Sequence, residues 1–168
     1  SKGLPACSTT IIQRDLDGPA FDEHWDYRSI VGKLNFLEKS TRPDIAYAVH
    51  QCARFSANPR KSHANAVKQI VRYLIGTQDK GIILKPTGNE FEVYCDSNFV
   101  GDYNKDTSHY DVMTAKSRGG HIIMYAGCPI VWSSKMLTEV TLSTTESEYC
   151  EISNALRSTI PLMNFVNE

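Results

Sequence analysis

Two short stretches carry side chains able to do metal or acid–base chemistry: Asp96 in YCDSNF, and the glutamates of STTESEY, residues 143–149. Ser143 followed three residues later by Glu146 is the S-x-x-E capping box: the serine bonds the third amide and the glutamate returns to the cap amide. Glu146 is thereby given a structural task. Helical steps from Glu146 reach Cys150, Ser153 and Arg157, a polar stripe, whereas Glu148 leads to Ile152, Ala155, Leu156 and Thr159. That second stripe is the more apolar and is expected to face a sheet, which makes Glu148 the acid turned inward. A carboxylate at a core edge needs a cation or a hydrogen-bond donor. Asp96 closes an alternating strand, and strand ends facing a helix terminus are where sites assemble. Asp96 and Glu148 are therefore the candidate pair for a divalent metal.

A second chemistry is written in the charge distribution. The net charge of −1 divides, at residues 53 and 85, into −1, +6 and −6. The middle part holds seven bases against Asp79 alone, a balance that suits a polyanion beside a cation-seeking site. Lys61, Lys68 and Arg72 are the candidate phosphate contacts, since Lys and Arg are the usual partners of phosphate. The five cysteines and five histidines are scattered, with no ligand spacing for zinc, and read as reduced thiols and filler in an intracellular chain. The longest run without Asp, Glu, Lys or Arg, Gly119–Ser134, is too short and too broken by glycine and proline to span a bilayer. No basic-then-apolar leader opens the sequence.

Residues 1–26 lack periodicity and read as an extended lead-in, with one short strand expected at Ser8–Gln13. Three segments then show helical stripes: Ile30, Leu34 and Leu37; Ile45, Val49, Cys52 and Ala53; Val67, Ile70, Val71 and Leu74. Pro43-Asp44 suits a first turn, Asn58-Pro59 a helix end, Ser62 a cap and Gly76 a stop. After Gly76 the pattern turns to strands. Gly81–Lys85 and Phe91–Asp96 are expected to pair through a hairpin at Pro86–Glu90, with further strands near Gly120–Tyr125 and Ile130–Ser134 and a long helix from Ser143. The expected fold class is α+β: a three-helix subdomain over residues 1–78, then a sheet and helix over 79–168.

The runs YRSIVGKLNFLEKSTRPDIAYAV, RYLIGT, YCDSNFVGD, PIVWSSK and LSTTESEY resemble, in order and spacing, the C-terminal part of copia-type retrotransposon polyproteins, from about Tyr27 to Arg157. The resemblance implies a thumb or connection segment of a reverse transcriptase, followed by a truncated ribonuclease H-like mixed sheet of three strands and then a helix. It implies cleavage of RNA in RNA–DNA hybrids with two Mg²⁺ ions, for which Mn²⁺ substitutes, held by a carboxylate cluster. By motif, the first-strand aspartate falls on Asp96 and the first-helix glutamate on Glu148, in agreement with the helical-face reading. Two such ions, about 4 Å apart, would activate water and steady the leaving oxygen.

The same resemblance places a third and a fourth carboxylate on later elements than these 168 residues reach, so the chain is expected to be inactive alone and to hold Mg²⁺ only loosely. Asp102, Asp106 and Asp111 match no family ligand, and no paired polymerase aspartates in a Y-x-D-D context are present. Expected partners are the rest of the polyprotein and an RNA–DNA hybrid. The other functional class is a non-catalytic module in which Lys61, Lys68 and Arg72 grip primer–template duplex.

Overall fold

A single arginine fixes the geometry of the helical half. Arg42 is nearly buried, and its Nε and Nη2 donate to Asp44 Oδ1 and Oδ2 at 2.9 and 2.8 Å. Its remaining donors reach the carbonyl and hydroxyl oxygens of Thr77 at 3.0 and 2.7 Å, and the Tyr73 hydroxyl donates to Asp44 Oδ2 at 2.7 Å. The start of the second helix is thus tied to the end of the third by charge-assisted bonds, the stronger kind. The computed structural model describes residues 3–6, 12–106 and 108–168, and the chain divides into two units after Ile82.

In the first unit α1 spans Tyr27–Ser40, capped by Asp26, which accepts from the Ser29 amide at 3.2 Å. A 3₁₀ turn at Pro43–Ile45 feeds α2 (Ala46–Ala53), and α3 covers Lys61–Ile75 with Gly76 as its stop. The three expected helices therefore form. Their stripes meet in a core of Val31, Leu34, Ile45, Val49, Cys52, Val67 and Ile70. Burial pushes the Cys52 thiol up to about 12, so it stays protonated.

Ser62 is not the cap of α3. Arg60 holds that position, its amide donating to His63 Nδ1 at 2.9 Å, while the Ser62 hydroxyl donates to Asp15 at 2.6 Å. With Nδ1 accepting, His63 is the neutral Nε2–H tautomer and donates to the Gln13 carbonyl at 2.9 Å. Burial lowers its pKa, which keeps it in that form. The strand expected at Ser8–Gln13 falls largely on residues 8–11, outside the described residues, and Ile12 and Gln13 form no strand.

The second unit holds β1 (Phe91–Asn98), β2 (Arg118–Tyr125) and β3 (Cys128–Met136) in the order β1-β2-β3, each pairing antiparallel, followed by α4 (Thr144–Asn167). The β2–β3 turn is two residues long. Ala126 and Gly127 sit at φ +52° and +75°, the left-handed pair of a type I′ hairpin, so Cys128 and Pro129 belong to β3 rather than to the loop. The strand expected at Gly81–Lys85 and its hairpin do not form. The Thr87 amide donates instead to the Ala126 carbonyl (2.7 Å), and the Ala126 amide to the Glu90 carbonyl (3.0 Å). The chain therefore enters across the end of the sheet, leaving Ile83 86% exposed.

Hydrogen bonds from Arg42 and Tyr73 hold the Asp44 carboxyl below the usual carboxylate range. The resulting stability is in full force above about pH 4 and drains away as pH falls through the lowered folded-state value. Asp44→Asn is expected to lower stability at neutral pH by about 1 kcal/mol, solvent screening at this half-open carboxylate discounting the usual charge-assisted value, and to flatten the acid side of the stability profile, measured by chemical denaturation across pH 2–7.

Candidate carboxylate site

Strand register decides which sheet residues face α4. Cys95 lies opposite His121 and Ser97 opposite Gly119, so these four share one face by the two-residue period. From the helix, Ser147, Glu151, Ala155 and Thr159 are buried, one residue in every four. The Ser97 and Ser147 hydroxyls meet at 2.8 Å, and Glu151 Oε1 lies 2.7 Å from His121 Nδ1. Asn154 Nδ2 donates to the other oxygen, Oε2, at 3.3 Å.

The inward acid of α4 is thus Glu151, not Glu148. Glu148 and Ile152 are exposed, while Ala155 and Thr159 of the expected stripe are buried as anticipated. The physical reason is that the inward line is polar, and each polar member finds its partner on the sheet: hydroxyl on hydroxyl, carboxylate on imidazole. Such a line has low hydrophobicity and leaves no apolar signature. Glu146 performs its capping task with one change. Its amide donates to Ser143 Oγ at 3.1 Å, and its carboxylate accepts from Leu142 rather than from the cap amide, at 2.6 Å.

Glu148 nevertheless shares a cavity with Asp96. Both line one cavity of about 160 Å³, with Cys95 and Ile152 as its other walls. Asp96 is exposed, and its Oδ1 accepts from the Ser97 amide at 2.8 Å. The space holds about five waters at liquid density. Asp and Glu supply the hard oxygen donors that suit Mg²⁺ or Mn²⁺, ions that keep part of their hydration shell. The two acids provide only a share of a full set: among the described residues no group of three or more His, Cys, Asp or Glu is placed to hold a metal. Asp102, by contrast, is buried against Arg118 at 3.5 Å, a structural place consistent with leaving it out of the site.

In the first unit Lys61, Lys68 and Arg72 fall seven and four residues apart on α3 and share a face. Lys68 is engaged, its Nζ 2.6 Å from Glu23, whereas Lys61 and Arg72 are exposed. Arg72 also edges a hollow of about 340 Å³ whose walls include Trp25, Ile30 and Val71. No helix among the described residues is long and apolar enough to cross a membrane.

Comparison with known proteins gives a consistent set. The chain is 39% identical over 137 residues to the retrovirus-related Pol polyprotein from transposon RE2 of Arabidopsis thaliana, covering 82% of this chain and 9% of that protein. It is 37% identical over 142 residues to the corresponding polyprotein from transposon TNT 1-94 of Nicotiana tabacum, covering 84% and 10%. It is also 33% identical over 135 residues to the secreted RxLR effector protein 161 of Plasmopara viticola, covering 80% of this chain and 89% of the effector. The chain thus spans only about a tenth of the Pol polyproteins it matches. No protein-family model matches, and no solved structure matches.

The two kinds of carboxylate should separate on denaturation. Asp96→Asn and Glu148→Gln, at exposed sites, are expected to change stability by no more than about 0.5 kcal/mol, and Glu151→Ala to lower it by about 2–4 kcal/mol, measured by urea unfolding.

Proposed function

We propose a role that starts from one fact: the chain belongs to the Pol polyproteins of copia-type retrotransposons. Within that family it is the stretch joining a reverse-transcriptase thumb-like helical unit to the opening of a ribonuclease H-like domain. The intact domain hydrolyses the RNA strand of RNA–DNA hybrids. The observation that carries this reading is the meeting of Asp96 and Glu148 on one small cavity at the end of β1. Asp96 and Glu148 would hold Mg²⁺ there, and the bound ion would supply an activated water and charge stabilisation for the leaving oxygen. The chain's own part is to offer the two carboxylates, on a strand and a helix whose backbones are fixed by pairing and packing. Exposure of both acids leaves the cavity open to a phosphodiester. The remaining carboxylates come, on this reading, from elsewhere in the polyprotein.

The direct test is cleavage of a labelled RNA–DNA hybrid with Mg²⁺ or Mn²⁺. These 168 residues alone should not cleave, and a longer Pol segment that includes them should cleave well. In the longer segment Asp96→Asn and Glu148→Gln should each lower the rate at least a hundredfold. Cleavage that survives both substitutions would overturn the assignment.

A second reading is favoured by the exposed cations on α3: the helical unit holds nucleic-acid duplex without doing chemistry. The similarity to an effector almost wholly spanned by this chain supports a use of the segment without the rest of a polymerase. On this reading, duplex affinity falls steeply with salt. Arg72→Gln should weaken binding evenly across sequences and reduce the slope of log K against log salt by about one, measured by fluorescence anisotropy. A salt-independent affinity would sink it.

A further inference from the structure

The proposed reading gives work to Asp96 and Glu148 but none to the buried contacts beside them. Glu151 is 1% exposed and His121 8%, and a carboxylate removed from water to that degree must be held by the groups that face it. It is held on three sides. His121 Nδ1 sits at 2.7 Å from Oε1, Asn154 Nδ2 at 3.3 Å from Oε2, and the backbone of Gly119 closes the third, where a Cβ would overlap Oε2. One turn earlier on the same helix, Ser147, 0% exposed, bonds Ser97 at 2.8 Å.

These contacts have a particular layout. Ser97 is on β1, His121 and Gly119 are on β2, and the helix residues they grip are four apart. Two anchor points on neighbouring strands fix both the crossing direction of α4 and its roll about its own axis. Glu148 stands between the anchors in sequence, one residue after Ser147 and three before Glu151. On the sheet, Asp96 stands between Cys95, the register partner of His121, and Ser97, the partner of Gly119. Along the chain, the contacts that fix the helix therefore flank both residues of the cavity.

We infer that Ser97–Ser147 and His121–Glu151, with Gly119 as the necessary gap, form a polar latch that sets the roll of α4 and so holds Glu148 at the cavity it shares with Asp96. Glu151, His121 and Ser147 are positioning residues. They touch neither metal nor substrate. An apolar stripe in the same place would hold the helix on the sheet but would allow it to roll, since apolar contact is non-directional, whereas bonds at 2.7–2.8 Å tolerate little displacement. The inference rests on the carboxylate reading for its purpose, and on the contacts alone for its geometry.

The test uses the 168-residue chain and two readouts. The first is Mn²⁺ affinity by electron paramagnetic resonance, and the second is the alkylation rate of Cys95, which lines the same cavity as Asp96 and Glu148. Ser147→Ala, Glu151→Ala and Gly119→Ala are compared with Ile123→Val, a core substitution chosen to lower the melting temperature without touching the latch. The latch variants should weaken Mn²⁺ by about tenfold, the usual effect of losing a group that orients a ligand, and should alter Cys95 alkylation. Ile123→Val should change neither, and Glu151→Gln, which keeps a partner for His121, should restore most of the affinity. Equal Mn²⁺ affinity and equal alkylation in all variants overturn the latch and leave the carboxylate reading standing. Where the wild-type chain holds Mn²⁺ too loosely to measure, as its partial ligand set allows, the alkylation rates of Ser147→Ala and Gly119→Ala decide the latch on their own, and rates equal to wild type overturn it.

Discussion

A carboxylate with almost no access to water is the constraint on which the second unit depends. Glu151 cannot be exchanged for a neighbour on the helix, because only its own position meets both the imidazole of His121 and the gap at Gly119. Desolvating such a group costs several kcal/mol, which is recovered only when geometry and partners are right. Any arrangement of α4 that misses His121 therefore leaves a buried polar group without its partner. The specificity of the helix–sheet contact comes from that penalty more than from apolar area, since the inward line of α4 is Ser147, Glu151, Ala155 and Thr159.

The first unit solves its own version of the problem with the opposite balance. Its core is apolar, and the polar constraint sits at the edge, where Arg42 joins Asp44, Tyr73 and Thr77. Those residues lie inside two of the runs that resemble the retrotransposon polyproteins, STRPDIAYAV and RYLIGT. Their role here is architectural. A motif that identifies a family need not mark its chemistry, and a charged residue in such a motif can be there because a buried guanidinium must be answered on several sides.

Much of this was legible in the sequence, and the failures have identifiable causes. The three helices of the first unit announced themselves because their inward stripes are apolar and recur at 3.6 residues. Strands β1 to β3 and the start of α4 were readable from alternation and from the Ser143 cap. Gly81–Lys85 has strand composition, yet composition does not say which neighbour is available, and the bonds of Thr87 and Ala126 take the chain elsewhere. The choice of Glu148 as the inward acid failed because hydrophobicity is a poor guide to a polar interface. Its partner signal was present in two places: an acid in the i+4 line of Ser147, Ala155 and Thr159, and a glycine two residues before a histidine on a strand. Neither means anything until register sets Gly119 and His121 beneath the helix. His63 was unreadable for the same reason, because its stacking on Phe55 at 4.1 Å and its cap on α3 are tertiary facts.

The acids differ in what the fold asks of them. Asp96 and Glu148 are exposed at the rim of a cavity, so an amide of the same shape at either place leaves packing intact and removes only charge. Glu151 and Asp44 are fixed by partners that become uncompensated when they go. A protein that kept this fold while abandoning catalysis could discard the first pair at little cost in stability and could not discard the second. Packing therefore asks nothing of the acids at 96 and 148 that the matching amides could not supply.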